Sequence, residues 1–263
     1  MPLVIGIGDI VGGIAGAYGS GSRPSTNGFK YSVNTSNTDA GSSNADQHTL
    51  PVISTGTYSF DVDWGDGSSN TITAWNQAEV THTYAASGTY TIEITGTFTG
   101  VKFDVDTLKL LEIFNWGGSV LTINDRNAFK DTTNASCSAT DSPVLVGNLG
   151  STFQGSTISS GLANWNFGSV TGFRSGLQSA SSWNEDVSGW DVTACTNFGN
   201  TFLGTAMSQA NYDALLIGWA AQTVQSSVVF ATSAQYTAGG AAEAARNTLT
   251  TTYSWSISDG GPN

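Results

Sequence analysis

The side chains from which this chain could build a reactive centre are few: two histidines, two cysteines and 20 carboxylates, with eight tryptophans beside them. Serine catalysis needs a partner base and a presented nucleophile, yet only His48 and His82 could serve as bases and no G-x-S-x-G turn occurs. His82 lies in the strand-like run Thr81-His-Thr-Tyr84, where a structural histidine is the expectation. The histidines and cysteines are too separated for a zinc site, and H-E-x-x-H is absent. Asp61, Asp63 and Asp66 offer the clustered oxygens that calcium prefers. Strand alternation puts Asp61 and Asp63 on one face, however, while Asp66 is placed to start a turn. A glycosidase would need two carboxylates facing each other across a cleft, whereas the adjacent Glu185 and Asp186 are expected as solvated loop residues. Gly6-Ile-Gly8 fails as a dinucleotide fingerprint because the next glycine, Gly12, comes one residue late. The expectation is a protein that is not an enzyme, with no catalytic residue, no cofactor and no metal.

Tryptophan offers a different chemistry, since a flat exposed ring can stack on the apolar face of a sugar. Trp165 and Trp190 occupy equivalent positions in similar segments and are expected in a core. Trp75 falls outside any period and is the least committed; packing at a strand edge is its favoured reading.

The elements that must position these residues follow a repeat. Between Leu110 and Thr223 the same residue classes return roughly every 25 residues, the length of one stackable supersecondary unit. Val120, Leu145, Val170 and Cys195 form one column, and Phe129, Phe153, Leu177 and Phe202 a second. Cys137 falls one period before Leu162 and two before Val187. Composition bias cannot place bulky apolar residues so regularly. A period in the 20 to 29 range belongs to leucine-rich-repeat-like coils, each covering its neighbour's apolar face. Both cysteines then read as buried small hydrophobes. A disulfide between them stays open, although their separate columns argue against it.

From Lys30 to about Gly100 the pattern changes to period two. Tyr58-Ser-Phe-Asp-Val-Asp-Trp64 and Tyr90-Thr-Ile-Glu-Ile94 alternate apolar with polar, as half-buried antiparallel strands do, with turn signals at Asp66-Gly67 and Ser87-Gly88. A small β-sandwich is predicted. After Ala210 the pattern predicts a helix through Ala220, a short strand at Val228–Phe230, a helix over Ala241–Leu249 and a closing strand at Tyr253–Ile257. Together these would cap the exposed end of the last coil.

Two resemblances extend this reading. Val62-Asp-Trp64-Gly-Asp66-Gly, followed by Thr81-His82-Thr-Tyr84 and Gly88-Thr-Tyr90-Thr-Ile92, resembles the polycystic-kidney-disease (PKD) type of immunoglobulin-like module over residues 30 to 100. Leu108-Lys-Leu110-Leu-Glu-Ile113 entering Trp116-Gly, Ala139-Thr-Asp-Ser-Pro143 and Ser181-Ser-Trp-Asn-Glu-Asp-Val-Ser-Gly-Trp190 resemble the BspA-like leucine-rich-repeat surface proteins. These resemblances imply adhesion or surface display, with no catalytic residues to carry over. The expected fold is mainly β: residues 29–103 as a PKD/Ig-like β-sandwich, 104–210 as a leucine-rich-repeat-like solenoid of about 25-residue period and 211–263 as an α+β cap.

Residues 1–28 are expected to be an apolar, glycine-rich anchor and linker. No Lys or Arg precedes Arg23 and Asp9 interrupts the apolar run, so a secretory signal is not predicted, and the run is too short for a membrane span. Leu3, Val4, Ile5, Ile7, Ile10, Val11 and Ile14 are the candidate assembly contacts. Burying seven such side chains would supply on the order of 10 kcal/mol gross. Membrane contact and packing on the chain's own domain are the alternatives.

Charge narrows the partners. Twenty acids against eight bases give a formal charge of −12, and the four Lys and four Arg are scattered singly along the sequence. A nucleic-acid partner needs a basic footprint and is not expected. The expected role is a non-enzymatic virion structural protein on a phage particle, a head decoration or tail-associated fibre. Its partners would be other virion proteins through the N-terminal segment, further copies of itself in a homo-oligomer, and a host-surface glycan. A phage product assembles in the host cytoplasm without an export signal. A bacterial cell-surface or extracellular adhesin, or a carbohydrate-binding module, is the alternative.

Overall fold

The structure, a computed structural model, describes residues 28–263. The candidate anchor residues Leu3 to Ile14 lie outside the described residues. Among the described residues the fold is mainly β, with two α-helices near the C-terminal end.

The first six strands are β1 (Phe29–Asn34), β2 (Gln47–Thr49), β3 (Val52–Asp63), β4 (Ser69–Ile72), β5 (Thr81–Thr83) and β6 (Thr89–Val101). Alternation decides which way they face. In β3, Tyr58, Phe60 and Val62 are buried while Ser59, Asp61 and Asp63 are exposed, and in β6 Ile92 and Ile94 turn inward with them. β6 pairs antiparallel with both β3 and β1, β4 extends the β3 edge, and β2 and β5 form a separate two-stranded sheet. The turn after β3 begins at Gly65, whose φ is +78°; a Cβ there would stand 2.3 Å from the Thr91 carbonyl oxygen, so only glycine fits.

The sheet does not stop at this unit. β7 (Leu110–Asn115) pairs antiparallel with β1, and β8 (Leu121–Ile123) pairs parallel with β6 through Phe98 opposite Leu121. β9 (Ser136–Cys137) then continues β7, and β10 (Val144–Leu145) continues β8, both in parallel. Beyond them come β11 (Gly147–Asn148) with β12 (Val170–Gly172), then the parallel set β13 (Asn197–Phe202), β14 (Val229–Thr232) and β15 (Ser256–Ser258).

Backbone bonds between successive repeating segments hold this region together. The Phe129 amide donates to Thr152 O at 2.8 Å, that of Phe153 to Gly176 O at 2.7 Å, and that of Leu177 to Thr201 O at 3.1 Å. Leu145, Val170 and Cys195 are buried and Val120 is half-buried against the same core; Phe129, Phe153, Leu177 and Phe202 are buried throughout. Phe129 and Phe153 stack with ring centroids 5.4 Å apart and planes 10° off parallel. Cys137 is buried, as are Leu162 and Val187, and both cysteines are free thiols.

A second periodicity lies in the backbone. Asn127, Ser151, Ser175 and Asn200 all have φ between 58° and 65°, and Asp131, Gly155, Ser179 and Gly204 between 59° and 73°. Each segment therefore turns through two left-handed corners at matching places. Left-handed backbone disfavours β-branched and bulky side chains and tolerates Gly, Asn and Asp. The small or amide residues at these eight corners answer that geometry.

The C-terminal elements are α1 (Gln209–Ala220), β14, α2 (Ala241–Thr251) and β15, within two residues of expectation at most ends. Ser208 caps α1, its hydroxyl accepting from the Asn211 amide at 3.3 Å. α1 buries Tyr212, Leu215, Leu216 and Trp219, and the Trp219 indole donates to Val187 O at 3.0 Å.

Candidate functional site

The groups most able to do chemistry gather first in a closed cluster. The Tyr31 hydroxyl lies 3.1 Å from His48 Nε2, and His48 Nδ1 lies 3.1 Å from Asp106 Oδ2. The Thr49 amide and the Ser43 amide and hydroxyl also donate to Asp106, and Lys109 Nζ stands 3.3 Å from its other oxygen. Lys109 donates besides to the carbonyls of Ser43, Asn44 and Gln47. The side chains of His48, Asp106 and Lys109 are fully buried. Burial holds His48 below its usual pKa despite Asp106, so the imidazole is neutral, accepting from Tyr31 and donating to Asp106. Burial works against ionising Asp106, but the bonds from His48, Thr49 and Ser43 prevail and its carboxyl sits below the usual range. The hydroxyl that faces the imidazole is that of the fully buried Tyr31, while the Ser43 hydroxyl bonds the Asp106 carboxylate and accepts from Lys109 Nζ at 2.6 Å. The cluster pins the loop between β1 and β2 onto the segment before β7. Asp106 and Lys109 had no signal in the sequence beyond being lone charges.

His82 belongs to a second cluster. It stacks on Trp64 at 4.7 Å and 13°, meets Tyr84 edge-on, and its Nε2 lies 2.8 Å from Asp66. Burial opposes ionisation of Asp66, but bonds from Ser68 and His82 bring its carboxyl down to about 2. The other candidate calcium ligands are engaged separately, Asp61 by the Thr71 hydroxyl and Asp63 by the Gly65 amide. Among the described residues no group of three His, Cys, Asp or Glu side chains gathers as a metal site.

Glu185 departs from expectation. Its two carboxylate oxygens accept from the Gly161 and Leu162 amides, each at 2.9 Å, so it ties one segment to the preceding one and is not a free loop residue. Asp141 does the same for the Trp116, Gly117 and Gly118 amides. Among the described residues, the Asp186 side chain bonds within its own turn alone, accepting from the Ser188 amide. Trp165 and Trp190 are buried as expected.

The open site is a groove where the first unit meets the segment after β8. Three adjoining hollows, the largest about 480 Å³, share Lys102 and Asp104 as lining residues. Trp75 lines two of them and is 47% exposed, so it is not a buried edge residue. Arg126, Asn127 and Lys130 reach the groove from the other side. Three of the eight basic residues therefore meet here, although they looked scattered in sequence. Five aspartates, Asp39, Asp104, Asp106, Asp125 and Asp131, line it too. Lys102 pairs with Asp104 at 2.9 Å and Lys130 with Asp131 at 3.2 Å, whereas the Arg126 guanidinium makes no ion pair among the described residues.

Residues 125–239 match the model of a family described as Mycoplasma protein of unknown function, DUF285. The matched stretch starts just after β8 and ends before α2, and it is consistent with the likeness to BspA-like surface proteins. No curated protein and no solved structure matches the chain. Among the described residues no helix is long and apolar enough to cross a membrane.

Proposed function

We propose that this chain is a non-enzymatic structural protein displayed on a virion, as a head decoration or tail-associated fibre of a bacteriophage, and that it mediates adhesion to a host surface. In this reading the strands up to β6 are a PKD-like module, the segments that follow are a leucine-rich-repeat-like solenoid, and α1 to β15 are its cap. Residues 1–28 would dock into the particle.

The observation that carries the reading is the run of backbone bonds between segments one repeat apart, from the Asn127 amide onward to that of Ser179. Such a stack needs its neighbours for stability and offers a broad lateral surface for recognition. The engagement of His48, Asp106 and Lys109 in holding a loop supports a structural role for the groups best suited to catalysis. The match to a bacterial family over residues 125–239 favours a second reading, a cell-surface adhesin of the same architecture.

Density-purified particles and the envelope fraction of producing cells, probed with antiserum to the full chain, separate the two. Co-sedimentation with particles is expected. Finding the chain only in the envelope fraction would overturn the virion reading and favour the adhesin. Deleting residues 1–18 should abolish incorporation while leaving the far-UV circular dichroism unchanged, and normal incorporation would refute the anchor.

A further inference from the structure

We infer that the Trp75 groove is a binding site for a neutral oligosaccharide of pyranose rings with equatorial hydroxyls. This deepens the adhesion part of the reading above and rests on it.

Trp75 is exposed on an organised loop. The Gln77 side-chain oxygen accepts from the Thr73 amide, the Thr73 hydroxyl at 3.0 Å and the Ala74 amide at 2.8 Å, while its nitrogen donates to Thr71 O at 3.3 Å. One side chain thus fixes the backbone leading into the ring's attachment, so little ordering cost remains when a ligand arrives. The residue is 47% exposed, and its indole N–H has no partner among the described residues. An aromatic ring with an apolar face and a polar edge suits a partner that is itself apolar on one face and hydroxylated at its rim.

The rest of the groove supplies that rim. Lys102, Asp104, Asp125, Arg126 and Asn127 line the Trp75 hollow with groups able to donate to and accept from hydroxyls. Its volume of about 480 Å³ lies within the roughly 300–1,000 Å³ range of small-ligand sites. The charge count selects the ligand class. Three cations, Lys102, Arg126 and Lys130, and five aspartates, Asp39, Asp104, Asp106, Asp125 and Asp131, line the three hollows, and two of the three cations are already paired. A polyanionic glycan would find no net positive field here, in a chain of formal charge −12.

The test uses the full chain labelled with nitrogen-15, whose indole N–H signals are followed by NMR, with the Trp75 signal assigned by its loss in Trp75→Phe. The probes are chitohexaose, cellohexaose and maltohexaose, with a heparin hexasaccharide as the charged comparison. At least one neutral probe should shift the Trp75 signal saturably. In isothermal titration calorimetry with the same probe, Trp75→Ala should bind tenfold or more weakly than the parent without a change in thermal midpoint, and Trp75→Phe should retain most of the affinity. The inference is overturned if no neutral probe moves the signal, if Trp75→Ala binds as well as the parent, or if only the heparin fragment binds. Because binding is read on isolated protein and display on particles, either reading can fail while the other stands.

Discussion

Lys109 Nζ lies 3.3 Å from Asp106 Oδ1, and neither side chain touches solvent. A buried pair of this kind adds little net stability over an apolar replacement of both, but removing one member strands the other. Lys109→Met would leave Asp106 without its cation and the carbonyls of Ser43 and Gln47 without this donor, while the Asn44 carbonyl would keep the Gln47 amide. A loss of about 3–5 kcal/mol is expected in urea denaturation. A loss below about 1 kcal/mol would mean that the ammonium does not hold the loop.

Acid should destabilise the protein in two stages. His48 has a folded pKa below its unfolded value because of burial, so its contribution is complete above about pH 6.5 and erodes as the pH falls below that. Asp66 follows the same sign at lower pH. Its carboxyl sits at about 2 when folded, so its contribution is present above the usual carboxylate value and is lost as the pH falls toward 2. Thermal midpoints measured from pH 8 to pH 2 should fall accordingly, and Asp66→Asn should shrink the lower stage without abolishing it, because the Asp106 and Asp259 carboxyls are also held below the usual range. An unchanged lower stage in that variant would remove Asp66 from the account.

Two neighbouring carboxylates should behave differently. Glu185→Ala leaves the Gly161 and Leu162 amides unpaired between segments and should cost about 1–3 kcal/mol. Asp186→Ala loses a bond within one exposed turn and should stay within about 0.5 kcal/mol. Equal costs in chemical denaturation would contradict the assignment of Glu185 as a tie.

The thiols should be silent in the native state. Burial pushes Cys137 and Cys195 each up to about 11, and both are free. Ellman's reagent at pH 8 should therefore titrate neither thiol quickly in the folded protein and both in 6 M guanidinium on the order of minutes. Rapid native reaction of one thiol would show that its site opens.

What the sequence revealed was what repeats through bulky apolar residues. The Phe129 and Val120 columns stand out because large hydrophobes are rare enough for their spacing to carry information. The left-handed corners at Asn127, Ser151, Ser175 and Asn200 recur just as regularly, yet they are written in the commonest residues of the chain and vanish into its composition. The ties made by Asp141 and Glu185 are hidden because an acid in a loop ordinarily faces water. The groove was illegible for another reason. Trp75, Lys102 and Arg126 come from three separate segments, and only the parallel pairing of β8 on β6 brings the segment after β8 to its place; pairing between distant strands leaves no local mark.

That pairing also governs mechanics. Since β8 is laid on β6 and β7 on β1 as neighbours in a single sheet, the first strands and the start of the repeating region form one hydrogen-bonded layer. Separating them would mean breaking two ladders at once, so neither can peel away from the other without opening the sheet that both share.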